Sequence, residues 1–147
     1  MQIEIFQVDA FTARAFGGNP AAVCPLDEWL DDSTLQQIAT ENNLSETAFF
    51  VRNGEMIELR WFTPLVEVDL CGHATLATAW VLFNHFNEKS RVLNFSTRSG
   101  VLSVTRDGDF LAMNFPAKNP VQVDIPDGLA QALNLSVPIR EVYKADD

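Results

Sequence analysis

Cysteine is scarce in this chain. Cys24 and Cys71 are the only two among 147 residues, too few for a disulfide framework. Cations are scarce too. Ten Lys and Arg stand against 20 Asp and Glu, for a formal net charge of -10. With no surplus of cations to displace counterions, nucleic acid is not an expected partner. An anionic membrane surface is disfavoured for the same reason. The acidity selects no substrate, because a local positive site can sit inside a negative protein; mostly it aids solubility. Long hydrophobic runs are also missing. The longest mostly apolar stretch, Ala74 to Phe86, is too short to span a bilayer and contains Asn84 and His85. The opening MQIEIFQVDAF has neither a basic segment nor a continuous apolar one, so it does not read as a signal peptide. The expected setting is reducing and cytoplasmic.

What is present fits a soluble globular fold, with 47% hydrophobic and 20% charged residues. A folded globule of 16.4 kDa exposes roughly 7,500 Å² of the ~24,000 Å² of its unfolded chain, enough burial for a core without staples. The order of elements is legible. Ile3, Ile5, Phe6 and Val8 read as an opening strand, and Gly17-Gly18-Asn19-Pro20 as a turn. A short strand follows over Ala21 to Leu26. Ser33 to Asn43 reads as an amphipathic helix with Leu35, Ile38 and Ala39 on one face, and Ser33 with Gln36 fits a capping box. Thr47 to Arg52, the turn Asn53-Gly54 and Met56 to Thr63 make a hairpin.

The next helix, Gly72 to His85, has apolar residues around almost its whole circumference, which places it inside the fold. In so small a domain this suggests a central helix wrapped by strands. Three more strands follow, over Val92 to Thr97, Val101 to Arg106 and Phe110 to Phe115, with a tight turn at Asp107-Gly108. Pro116 stops the last of them. Four of the seven prolines lie from there on, so a boundary is expected near Pro116 to Pro120. That leaves an N-terminal domain over 1–117 and, over 118–147, a linker with the opening of an incomplete second domain. Gly128 to Leu135 could form a short helix there and Ile139 to Lys144 a strand.

Chemistry can be sought at two places. The buried helix starts after Leu70-Cys71-Gly72-His73, where free backbone N–H groups meet the positive end of the dipole. A carboxylate or phosphate would satisfy them, with Gly72 allowing close approach and His73 adding a hydrogen bond. Water or a loop carbonyl would do so equally well. Glu46 lies at the mouth of the apolar run Ala48-Phe49-Phe50-Val51, a place for an acid or base; an ordinary exposed strand-edge glutamate is the plainer reading. Cys71 and His73 are two residues apart, which does not place them on one helix face, and no third group is evident to complete a nucleophile–base arrangement. Cys24, Cys71, His73 and His85 match no usual zinc spacing, so no metal is expected. Trp29, Trp61 and Trp80 read as core or semi-buried packing residues, and His85 as a dipole partner or surface residue at its helix end.

The segments VDAFTARAFGGNPAAV, LSETAFFV and RWFTPLVEVDLCGHATLATAW together resemble the PhzF family, the phenazine biosynthesis-like proteins of the diaminopimelate epimerase-like fold. They cover residues 8 to 80 densely, and the FTP…E…CGHATLA block is highly specific. The resemblance implies an α+β fold in which a barrel-like sheet wraps a central buried helix, with a second similar domain closing the cleft. It implies that Glu46 is the proton-transferring acid/base and that Gly72 and His73 lie beside the substrate carboxylate. Asn19 of the GNP motif is implied as a cleft residue. Cys71 falls where related epimerases carry a catalytic cysteine, but the PhzF pattern uses the glutamate, which makes Cys71 structural.

The implied activity is a cofactor-free isomerisation or epimerisation of a small carboxylate-bearing metabolite by proton transfer at carbon. Family members are about twice this length and carry a D-P-x-T-G-type motif in the second domain; Asp124-Ile125-Pro126-Asp127-Gly128 is not that motif. The expectation is therefore an N-terminal half, poorly active alone, that forms a homodimer or pairs with a complementary second-domain chain. The alternatives are a non-catalytic binding or interaction half-domain and, third, an enzyme that uses Cys71.

Overall fold

Alternating side chains and two helices of different character determine how this chain folds. The computed structural model describes residues 2–115 and 117–145. They fall into two compact units divided between Asn114 and Phe115.

The first unit contains β1 (Phe6–Ala10), β2 (Asn19–Leu26), α1 (Asp32–Asn42), β3 (Glu46–Asn53), β4 (Met56–Phe62), β5 (Glu67–Val68), α2 (Gly72–Asn84), β6 (Val92–Thr97), β7 (Gly100–Asp107) and β8 (Phe110–Asn114). One mixed sheet runs β1-β2-β3-β4-β6-β7-β8, with β5 paired to β4. β2 and β3 are parallel, with Ala21 opposite Glu46. β4 and β6 are parallel over Ile57↔Phe95 and Glu58↔Ser96, and the remaining pairs are antiparallel.

The sheet forms a half-barrel around α2. Its inner face supplies Ala21, Val23, Ala48, Phe50, Ile57, Leu59, Trp61, Leu93, Phe95, Leu102 and Val104, packed against Ala74, Ala77, Val81, Leu82 and Phe83 of α2. The period-2 alternation in each strand explains which residues face inward. The other face of β2, β3 and β4 buries Cys24, Phe49 and Phe62 against Leu35 and Ala39 of α1. No helix of the described residues is long and apolar enough to cross a membrane.

The structure corrects several local expectations. β1 starts at Phe6, because Phe6 and Val8 are the residues packed on the α2 core, while Ile5 is half exposed. The cap of α1 is Asp31 and not Ser33: its carboxylate accepts from the Thr34 backbone N–H at 2.9 Å and from Thr34 Oγ1 at 2.7 Å, and Ser33 Oγ donates to it as well. Gln36 donates to the Thr63 carbonyl instead of closing a capping box. Trp61 is fully buried, but Trp80 is 42% exposed, so α2 keeps one open stripe. His85 agrees with its expected place, exposed at the C-cap of α2, and its ring meets Phe6 in a tilted contact and Trp80 edge-on, with centroids at 4.8 and 5.4 Å. The expectation that Pro116 stops the last strand falls outside the described residues.

The second unit contains β9 (Val121–Val123), α3 (Leu129–Ala132) and β10 (Val142–Lys144), with β9 and β10 paired antiparallel. None of its described residues is buried. The sequence reading foresaw the helix and the final strand, both longer than observed, and missed β9.

Candidate active site

Of the four implied site residues, Asn19 and Glu46 open the neighbouring strands β2 and β3, and Gly72 and His73 open α2. Glu46 is the first residue of β3 and shares the α2-facing side with Ala48 and Phe50. Asn19 opens β2 on the same side as Ala21 and Val23. Its Oδ1 accepts from Ser45 Oγ at 3.2 Å, so Asn19 is tied to the residue preceding Glu46. Gly18 sets the entry to β2. It has a φ of +70°, and a Cβ there would fall 2.1 Å from the Ala10 carbonyl oxygen, so only glycine fits.

Gly72 is the first residue of α2. Cys71 precedes it in extended conformation, and no side chain caps the helix there. No acidic residue occupies the first turn. The N–H groups of His73 and Ala74 turn toward the Cys71 sulfur, and the positive dipole end, with no acidic side chain against it, faces the site. The segment leading into the helix is held by side chains. Arg60 donates two bonds of 2.7 Å to Glu67 and one of 2.9 Å to Asp32, and lies over the rings of Trp29 and Phe62. Arg98 reaches Glu67 at 2.7 Å. These carboxylates hold the Arg60 guanidinium still more firmly in its charged form.

His73 Nε2 lies 3.2 Å from Glu46 Oε2, with His73 8% and Glu46 20% exposed. The two atoms are close but not aligned as a hydrogen bond, and each is buried without a partner. Trp61 Nε1, also on the inner face, is the third such atom among the described residues. Buried polar atoms of this kind are costly unless something pairs with them. On its other side, His73 Nδ1 is 3.4 Å from Cys71 Sγ. The structure thus overturns the separation expected between Cys71 and His73. Cys71 lies outside the helix, so helical spacing does not govern it, and Glu46 is the third group that sequence reasoning did not find.

Geometry alone does not make Cys71 a nucleophile. Burial pushes its thiol up to about 12, with the Glu46 carboxylate adding to the effect, so it is protonated at neutral pH. Glu46, Cys71 and His73 offer three ligand atoms within 4.8 Å of one another. A cation there would face the positive end of α2 and would need a thiol that burial keeps protonated. Cys24 belongs to the core on the opposite face of the sheet, so the four-residue zinc set does not assemble. Sequence reasoning missed Ser45 and Glu67 as supporting residues. The signal for Glu67 was its place in the FTP…E…CGHA block.

Residues 8–139 match the PhzC-PhzF family, described as phenazine biosynthesis-like protein. The chain belongs to this family. An uncharacterized isomerase of Pseudomonas aeruginosa is 63% identical across the whole chain, which covers 56% of that protein. A PhzF-family crystal structure from Enterococcus faecalis superposes with a TM-score of 0.90 at 47% identity, covering 97% of this chain and 54% of that one. A structure described as a predicted epimerase from Pseudomonas aeruginosa, 24% identical with a TM-score of 0.71 over 92% of this chain and 51% of its own, shares the fold. The fold is thus α+β and diaminopimelate epimerase-like, and the chain spans about half the length of the relatives it matches.

Proposed function

We propose that this chain supplies one wall of a PhzF-type isomerase site that moves a proton at carbon without a cofactor. The observation that carries this reading is the Glu46–His73 pair: two buried, unpartnered polar atoms 3.2 Å apart at the open N-terminus of α2. Glu46 takes a proton from a carbon next to a carboxylate and returns it at another position or to another face. The helix N-terminus at Gly72 and His73 holds the substrate carboxylate and stabilises the negative charge that develops on it. Asn19 borders the same space. The substrate class is a small carboxylate-bearing metabolite. The isomerase names of the relatives support the reaction class, and the two free, buried cysteines fit a cytoplasmic setting.

In this reading residues 1–117 carry the wall and residues 118–147 open a second domain; the chain forms a homodimer, or pairs with a complementary second-domain chain that supplies the other wall. A cleft needs two walls, so the 147-residue chain alone turns over poorly. Because the chain spans half of its relatives, a second reading also stands: a binding half-domain that keeps the anion site but does no chemistry.

The test is deuterium uptake from D₂O into small carboxylic acids with acidic C–H bonds. It compares the chain alone with the chain mixed with the remaining half of the 63%-identical Pseudomonas relative. Uptake only in the mixture supports the proposal. Robust uptake by the chain alone overturns the one-wall claim, and carboxylate binding without uptake in either arm favours the binding half-domain.

A further inference from the structure

We propose that Cys71 is a positioning residue: its S–H donates to Nδ1 of His73 and so keeps the ring's single proton on Nε2, facing Glu46. The inference rests on reading Glu46 as the acid/base of this site. Sγ and Nδ1 are 3.4 Å apart, and the two residues are only 6% and 8% exposed, so water does not compete for the contact.

The position of the sulfur is set by the backbone. Cys71 precedes the helix at φ −145° and ψ 113°, and its carbonyl accepts from Thr75 N at 3.3 Å and from Thr75 Oγ1 at 2.6 Å. The cysteine is thereby fastened to the first turn of α2, and its side chain turns back toward His73.

A neutral imidazole carries one N–H and one lone pair, and the partner of one nitrogen decides the role of the other. With the proton on Nδ1, the bare lone pair of Nε2 would face a lone pair of the Glu46 carboxyl oxygen 3.2 Å away in a buried site. With the proton on Nε2, the S–H reaches Nδ1, and the ring N–H sits 3.2 Å from Glu46 Oε2, attracted to it though not aligned as a hydrogen bond. The thiol can play this part because burial keeps it protonated. Cys71 also lies within the direct field of Glu46, and its part in positioning runs through the Nδ1 contact; it does not itself touch the reacting carbon.

The experiment is a long-range ¹H–¹⁵N NMR spectrum of the 147-residue chain labelled with ¹⁵N-histidine. Only His73 and His85 contribute, and His85→Asn leaves a single ring. The expected wild-type pattern is a protonated Nε2 and a pyridine-type Nδ1 shifted by an accepted hydrogen bond. Cys71→Ala should move the Nδ1 resonance toward that of an unbonded nitrogen, and Cys71→Ser should restore the shift through its hydroxyl. A proton found on Nδ1, or an Nδ1 resonance that is the same in all three proteins, overturns the proposal. If Cys71→Ala does not fold, the wild-type spectrum and the Cys71→Ser displacement decide it. No substrate is needed, so failure here leaves the proton-transfer reading intact, and failure of deuterium uptake leaves this assignment intact.

Discussion

Glu46 Oε2 and His73 Nε2 meet at 3.2 Å, across the gap between the start of β3 and the first turn of α2. Each comes from an element that is rigid for other reasons. β3 is paired on both sides, and the following turn of α2 is buried in the half-barrel. A site on such supports keeps its geometry when one side chain is changed isosterically.

Glu46→Gln is therefore expected to fold like the wild type and to lose carbon proton exchange in any active, complemented form. Loss of a general base is worth about 10²- to 10⁴-fold in rate. The check is deuterium incorporation followed by NMR beside a urea unfolding curve. If Cys71→Ala abolishes exchange while Glu46→Gln leaves it intact, the base is Cys71 and the assignment fails.

The features legible in the sequence depend on periodicity and motif. The β3–β4 hairpin was legible from its β-forming residues and the Asn53-Gly54 turn, and the all-round apolar character of Ala74 to Phe83 put α2 inside. What stayed hidden depends on individual atoms. Asp31, Asp32, Ser33 and Thr34 are all good caps, and only the backbone selects Asp31. β5 is two residues long, too short for any pattern. The Cys71–His73 contact stays hidden in the sequence because Cys71 lies one step outside the helix, where helical spacing does not govern its direction. The bare stripe of α2 at Trp80 stayed hidden because composition around a helix does not show which side a half-barrel leaves open.

Alkaline pH should destabilise the fold through its two thiols. Burial holds Cys24 and Cys71 protonated up to about 12, against an ordinary value of 9.0. Below pH 9 folded and unfolded chains both keep these protons, and the stabilising difference is fully present. Above it the unfolded chain releases them while the folded chain does not, so stability falls as pH rises from about 9 toward 12. Urea midpoints measured from pH 8 to 11 should fall less steeply in Cys24→Ala than in the wild type. Equal slopes would show that Cys24 ionises as freely in the fold as outside it.

Glu67 gathers Arg60 and Arg98 just before α2, with Glu67 11% and Arg60 20% exposed. Glu67→Ala leaves two guanidinium groups without their shared carboxylate. The expected loss is about 1–3 kcal/mol, below that of a fully buried pair because both arginines reach solvent. The more telling measurement is amide hydrogen exchange across Asp69 to His73. Faster exchange there would show that the network fixes the helix start, and a uniform change across the chain would show only a general loss of stability.

Gly18 is the position where backbone conformation most directly governs the candidate site. At φ +70° an alanine would be strained even in open space, and its Cβ would lie 2.1 Å from the Ala10 oxygen and 2.8 Å from Thr12 Cγ2. The backbone must move, and Asn19, paired with Ala10 and bonded to Ser45, moves with it. Gly18→Ala should cost about 2–3 kcal/mol, well above the strain of an unobstructed positive-φ site. Gly54→Ala is the control, because Gly54 has a φ of +65° with nothing within 4 Å of the added carbon. Comparing the two by thermal unfolding separates conformational strain from collision. Equal losses would mean that the β1–β2 connection yields freely and that Asn19 is not held by it.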